Sequence, residues 1–206
     1  MIDNYSQNNM RILERIGYSS VEEIGNLIDD PMKQNSCFVY RGKIWDRDVS
    51  LKMDNPFNFM YGRQVDNEVK ILSCTGHING LAKLVALHND VVTPEFSIPV
   101  SIIAKEYVRG DPILDKNYSL RQYFSLFKTV KELHKLGIVN LDLKPENIIL
   151  DKKTRLPKMI DFGVMRFSSE LDNPQAYIKD DLTDLATYQP KELTSFKKWV
   201  LSKLRF

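Results

Sequence analysis

Two cysteines, Cys37 and Cys74, are the only thiols in this 206-residue chain. That number builds neither a disulfide framework nor a cysteine-rich metal cluster, so a reducing compartment is the plain expectation. No run of about 18 apolar residues occurs, which leaves nothing to span a bilayer as a helix. The opening Met1-Ile2-Asp3-Asn4-Tyr5-Ser6-Gln7 has no basic start and no apolar centre, so no secretory signal is expected. Neither charge dominates. With 29 Lys+Arg against 27 Asp+Glu the formal net charge is +2, too small for a bulk electrostatic case for nucleic acid. Internal repeats and low-complexity stretches are also missing. What remains is an ordinary globular balance, 43% hydrophobic and 27% charged, in a length that fills one sizeable domain or two small lobes.

Along the chain, residues 1–10 read as a flexible polar lead. Residues 11–16 and 21–28 both qualify as a first strand. The second reads equally as a short helix, since Ser20-x-x-Glu23 forms a capping box and Val21, Ile24 and Ile28 share a helical face. Residues 37–44 and 48–53 read as a hairpin turning at Asp46-Arg47. Tyr61, Val65, Val69 and Leu72 fall at helical spacing, with Glu68 bordering their face. Residues 81–87 and 101–104 read as two more strands, joined by a long connection broken at Pro94 and Pro99.

The clearest helix is 119–136, with Leu120, Phe124, Phe127, Val130 and Leu133 as its apolar stripe. Lys131, His134 and Lys135 suit its negative end and Gly137 suits the residue after it, so His134 is expected as a helix-end residue rather than a ligand. Residues 148–150 and 158–160 read as a hairpin that carries Asn147 at one end and Asp161 at the other. A closing amphipathic helix over 192–205, with Leu193, Phe196, Val200 and Leu204 as its stripe, is expected to seal the second lobe.

The chemistry concentrates in Asn140-Leu141-Asp142-Leu143-Lys144-Pro145-Glu146-Asn147 and in Asp161-Phe162-Gly163. Their spacing suits phosphoryl transfer. Asp142 can orient and deprotonate an attacking hydroxyl, Lys144 can neutralise charge on the transferred group, and Asn147 and Asp161 can hold bridging metal ions. These segments resemble the catalytic loop and metal-binding D-F-G of the protein-kinase-like superfamily. Other pieces follow in order. Val49-Ser50-Leu51-Lys52 resembles the strand of the phosphate-gripping lysine. Asn67-Glu68-Val69-Lys70-Ile71-Leu72 resembles the start of the helix that supplies its glutamate, Glu68. Glu106-Tyr107-Val108-Arg109-Gly110 resembles the hinge that holds adenine through positions such as Glu106 and Val108.

The resemblance implies an α+β, bilobal fold: a β-rich first lobe over about 11–107 and a reduced, mainly helical second lobe over about 108–206, together one minimal kinase domain. It implies ATP and Mg²⁺ or Mn²⁺ as cofactors. It further implies a protein substrate phosphorylated on Ser or Thr, because Lys-Pro-Glu follows Asp142, and an activating or docking protein partner of the kind several short kinases use. The expected place is the cytoplasm, or the host cytosol for a viral or injected bacterial chain. Two rivals stand beside this: a kinase-fold binding module without catalysis, and a kinase acting on a sugar or other small molecule.

Four departures bear on the expectation. Asp29-Asp30-Pro31-Met32-Lys33-Gln34-Asn35-Ser36 stands where the family has a glycine-rich phosphate loop. Leu141 replaces the arginine that receives an activation-loop phosphate, so no such switch is expected. Lys105 precedes the hinge where the family places an apolar or hydroxyl residue, and must reach water or find a carboxylate. Only residues 162–206 follow Asp161, with no A-P-E, so peptide-docking helices are not expected. Asp180-Asp181-Leu182-Thr183-Asp184-Leu185 resembles the helix whose aspartate braces the catalytic loop. Lys52 and Glu68 are expected as a partly exposed ion pair.

Overall fold

Val49, Leu51 and Met53 alternate with polar residues, and all three are buried on one face of a strand. The computed structural model that shows this describes residues 2–24, 37–55, 64–93, 96–113, 118–191 and 193. The fold is α+β, and the chain divides into two compact units. The first holds Met1–Gly76 and Lys83–Tyr107; the second holds His77–Ala82 and Val108–Phe206. Among the described residues no helix is long and apolar enough to cross a membrane.

The first unit is a five-stranded antiparallel sheet. Its strands are β1 (Ser19–Glu23), β2 (Cys37–Ile44), β3 (Arg47–Asp54), β4 (Leu84–Thr93) and β5 (Phe96–Glu106), in the order β1-β2-β3-β5-β4. The β2–β3 turn is two residues long, Trp45 and Asp46, both at positive φ (47° and 61°). That handedness matches the twist of the flanking strands. One face of the sheet is covered by α1 (Ile2–Arg15), whose Ile12 and Leu13 join Tyr18, Tyr40, Leu51, Met53, Ile102 and Ala104 in one core. The other face carries α2 (Gln64–Cys74), where Val65 packs against Cys37 and Ile103.

Three expectations are corrected in this unit. The polar lead and the candidate strand 11–16 form the single helix α1, because Asn9, Ile12 and Leu13 fall on one helical face and are buried together. Asn9 is tolerated inside because its Nδ2 donates to the Tyr40 hydroxyl at 2.9 Å. The long connection 88–100 is instead strand on both sides, with Val91 paired to Val100 and Thr93 to Phe96. Of the two readings for 21–28, residues 21–23 are strand, the Ile24 N–H continues to the Val39 carbonyl at 3.3 Å, and residues 25–28 lie outside the described residues.

The second unit opens with β6 (Gly110–Pro112) and α3 (Leu120–Lys135). Ser119 caps α3: its Oγ accepts from the Gln122 N–H, and the Gln122 side chain accepts from the Ser119 N–H. Then come β7 (Ile138–Val139), a 3-10 turn at Pro145–Asn147, β8 (Ile148–Asp151), β9 (Pro157–Met159), β10 (Arg166–Phe167) and α4 (Pro174–Thr187). β6, β8 and β9 form one small sheet, and β7 and β10 another. The α3 stripe is rotated from expectation. Tyr123, Leu126, Thr129, Val130 and Leu133 face inward, while Leu120, Phe124 and Phe127 are exposed. Thr129 fits because Gly80 lies against it; a Cβ on Gly80 would meet the Thr129 Oγ1 at 1.9 Å. The phosphate-loop stand-in 29–36, Tyr61 and all but residue 193 of the closing stretch 192–205 lie outside the described residues.

Candidate active site

Lys52 lies on β3 and Glu68 on α2, both in the first unit. Pairing of Ser50 with Lys105 and of Lys52 with Ile103 puts Lys52 and Lys105 on one face of the sheet, the face α2 covers. Glu68 meets both lysines: its Oε2 is 3.0 Å from the Lys52 Nζ, and its Oε1 accepts a hydrogen bond from the Lys105 Nζ. All three are buried, at 4%, 0% and 5% exposure for Lys52, Glu68 and Lys105. The expected partly exposed pair is therefore a buried cluster. Burial of each ion costs several kcal/mol, a cost that the shared carboxylate offsets by meeting both ammonium groups at contact distance. Lys105 finds the carboxylate it needs, and that carboxylate is the glutamate assigned to Lys52. Beyond it, Glu106 ends β5 with its N–H bonded to the Lys83 carbonyl, and the Tyr107 N–H reaches the Asp48 carbonyl. Val108 begins the longer segment of the second unit.

In the second unit, the stretch 140–144 alternates. Leu141 and Leu143 are buried, and the polar groups between them point away from that core. Asp142 and Lys144 form an ion pair at 2.8 Å. Asn147 closes the constellation: its Nδ2 donates to the Asp142 Oδ2 at 2.9 Å and to the Asp142 carbonyl at 3.1 Å. The hydrogen bond to Asp142 is the main reason the Lys144 ammonium holds its proton more tightly than usual. Asp142 sits at positive φ (49°), as does Asn140 (60°), a backbone state that short polar residues tolerate best.

The β8–β9 hairpin brings the metal-binding candidates together. The ladder runs from Ile148–Met159 to a further bond in which the Ile160 N–H donates to the Asn147 carbonyl at 3.0 Å, so Asp161 leaves the hairpin one residue past the partner of Asn147. Asp161 Oδ1 accepts from the Gly163 N–H at 3.0 Å, and Phe162 beside it is fully buried. Because the Asn147 amide nitrogen is committed to Asp142, its oxygen is the atom left to coordinate. One carboxylate and one amide oxygen are hard donors that fit Mg²⁺, which takes few protein ligands when phosphate oxygens complete its shell. Among the described residues no group of three or more His, Cys, Asp or Glu is placed to hold a metal ion.

Asp181 of α4 underlies this loop. Its Oδ1 accepts from the Leu141 N–H at 2.7 Å, and its Oδ2 accepts from the Asn140 N–H at 3.1 Å. The same Oδ2 lies 2.9 Å from the His134 Nε2. His134 thus does more than end a helix: it joins α3 to α4 through the aspartate that holds the loop. Asn140 also donates from its side chain to the Val164 carbonyl at 2.7 Å, tying the loop to the segment after Gly163. Tyr188, just past α4, donates to the Leu143 carbonyl at 2.9 Å. Leu141, where the family carries its phosphate-reading arginine, has no exposed surface at all.

Two groupings therefore stand in the structure. Lys52, Glu68 and the unexpected Lys105 cluster in the first unit. Asp142, Lys144, Asn147 and Asp161 adjoin in the second, braced by Asp181 and His134. The signal for Lys105 was a lysine directly before the hinge, where the family places an apolar or hydroxyl residue; the partner of His134 left no local trace, being 47 residues away.

The family described as "Protein kinase domain" matches residues 49–195. Among known proteins, myosin light chain kinase family member 4 of Homo sapiens is similar, 29% identical over 116 residues, which are 50% of this chain and 27% of that protein. Serine/threonine-protein kinase D of Synechocystis sp. is 50% identical over 69 residues, 31% of this chain and 14% of that protein. The chain thus aligns with under a third of either relative's length.

Proposed function

This chain belongs to the protein kinase domain family, and from that premise we propose that it transfers the terminal phosphoryl group of ATP to a serine or threonine hydroxyl of a protein. In this reading residues 1–206 act as one catalytic domain. Asp142 accepts the proton of the attacking hydroxyl, and Asn147 and Lys144 hold its carboxylate in place for that task. Lys144 also offsets negative charge on the group in transit. Lys52, oriented by Glu68, grips the nucleotide phosphates, with Glu106 and Val108 as the adenine-holding positions. Asn147 and Asp161 hold Mg²⁺, which when bound neutralises the phosphate oxygens. The observation that carries the reading is the Asp142–Lys144–Asn147 constellation on a loop whose backbone is fixed by Asp181. The Ser/Thr preference rests on Lys144-Pro145-Glu146 and on the name of the Synechocystis relative.

One observation favours a second reading, a small-molecule kinase: residues 164–173 alone separate Gly163 from α4, leaving little chain on which to align a peptide. The test is transfer of labelled phosphate from ATP, with Mg²⁺, to protein substrates such as casein and to a panel of sugars. Incorporation into protein serine or threonine, abolished by EDTA and by Asp161→Ala without loss of fold, is the expected result. Sugar phosphorylation alone supports the second reading. Transfer that survives both EDTA and Asp161→Ala overturns the metal assignment. No transfer to any acceptor, with ATP bound, favours a binding module.

A further inference from the structure

Glu68 is shared. Its two oxygens are divided between two buried ammonium groups, Lys52 on β3 and Lys105 on β5. Two like charges on one face of adjacent strands repel, and the carboxylate between them offsets that repulsion. The arrangement also ties α2 to two strands through one side chain. Two further contacts do the same: Ser101 Oγ of β5 donates to the Asp66 Oδ1 at 3.1 Å, and the Val65 N–H donates to the Asp54 Oδ1 of β3 at 3.2 Å. Apolar packing completes the seat, with Val65 and Ile71 fully buried. A glutamate held by Lys52 alone has both oxygens available to one cation, so it can follow that lysine or draw it away. With Oε1 held by Lys105, Oε2 is the oxygen at 3.0 Å from the Lys52 Nζ, and the place of that contact is set from outside the pair.

We propose that Lys105 is a positioning residue: it pins the Glu68 carboxylate to β5, so that α2 is seated and Lys52 is oriented before any nucleotide arrives. This rests on the reading of Lys52 as the phosphate-gripping lysine, and it assigns Lys105 no contact with substrate. The consequence is a first unit whose α2 does not swing between positions as a control.

Hydrogen exchange and nucleotide affinity test it together. In the intact protein the α2 amides of Val69, Ile71 and Leu72 should be equally protected with and without a non-hydrolysable ATP analogue. Lys105→Met should speed their exchange at least about tenfold without nucleotide. It should also weaken the dissociation constant of the analogue at least about fivefold. Lys105→Arg, which keeps the cation, should restore both to within about threefold of the parent. Ser101→Ala removes another α2–β5 hydrogen bond but leaves Glu68 alone, so it should leave affinity within about twofold.

Equal loss of affinity in Ser101→Ala and Lys105→Met would reduce Lys105 to one tether among several and overturn the proposal. Parental exchange and affinity in a folded Lys105→Met would do the same. Should Lys105→Met fail to fold, Lys105→Arg decides: rapid α2 exchange in that folded variant is the overturning result. Failure of the nucleotide reading itself is separable, since the intact protein would then bind no analogue while the exchange arm still reports on α2.

Discussion

Removing the carboxylate of Asp181 should loosen the catalytic loop and the second unit together. In Asp181→Ala the N–H groups of Leu141 and Asn140 both lose their acceptor. Leu141 is fully buried, so its N–H cannot turn to water; one such orphan costs about 1–3 kcal/mol. Asn140 is half-buried and water replaces part of its bond, so a total of roughly 2–4 kcal/mol follows from the same reasoning. For a chain of this size each kcal/mol moves Tm by about 2–4 °C, giving a drop of roughly 4–16 °C.

The effect on rate has a separate origin. Asn140 and Asp142 are held at φ of 60° and 49°, a state that persists only where surrounding bonds impose it. Once the loop relaxes, Asp142 leaves its place between Lys144 and Asn147, and a shift of about 1 Å is enough to cost about 10²-fold in rate. Asp181→Asn keeps one acceptor oxygen and turns an amide nitrogen towards the other N–H, so it should fall between parent and Ala in both measures. Calorimetry and single-turnover phosphoryl transfer at a temperature where all three are folded provide the readings. Refutation is an Ala variant that melts within 1 °C of the parent. An unchanged transfer rate beside a lowered Tm would sink the second half alone and leave Asp181 as a stabiliser.

Three further outcomes are expected. Burial is the first cause, and Asp181, Asp180 and Asp142 the lesser ones, that raise the Asp184 pKa above its usual value. A carboxyl raised on folding destabilises the folded state wherever it is ionised, and that penalty fades as pH falls through the raised pKa to the unfolded one. Asp184→Asn should therefore raise Tm at pH 7, with a gain that shrinks towards pH 4; a gain that grows on acidification would contradict the assignment. Tyr188→Phe removes the donor to the buried Leu143 carbonyl and should cost about 1–3 kcal/mol by denaturant titration, the price of an orphaned acceptor, whereas a loss below a few tenths would show the carbonyl already satisfied elsewhere. Phosphatase treatment should leave the transfer rate unchanged, because Leu141 is a core residue that reads no phosphate; a rate loss tracking dephosphorylation of Ser168, Ser169 or Tyr177 would reveal another receptor.

The residues that adjoin at the candidate site were legible because chemistry dictates their identity at fixed short spacings, and the β8–β9 hairpin that gathers Asn147 and Asp161 is itself local. What was hidden depended on distant partners. The burial of Asn9 that marks α1 as a helix requires a tyrosine hydroxyl 31 residues on. The rotation of α3, which leaves Phe124 and Phe127 outside and takes Thr129 inside, depends on Gly80 leaving room for it. On hydrophobicity alone the two phenylalanines outrank a threonine, so the helix was placed correctly and its facing was not. Lys105 was visible as an anomaly, but only the register of β3 against β5 shows that it shares a face with Lys52.

The alternation of Leu141 and Leu143 with Asp142 and Lys144 ties function to melting. A surface loop can open on its own, well below the temperature at which its domain unfolds. This loop is stitched into the interior at every second residue, so its polar groups have no private route to disorder. On warming, phosphoryl transfer should persist until the second unit melts and then vanish with it, leaving no range in which the protein is folded but inert. A variant adapted to cold could not gain rate by loosening this loop alone; it would have to soften the core beneath it and accept a lower melting point.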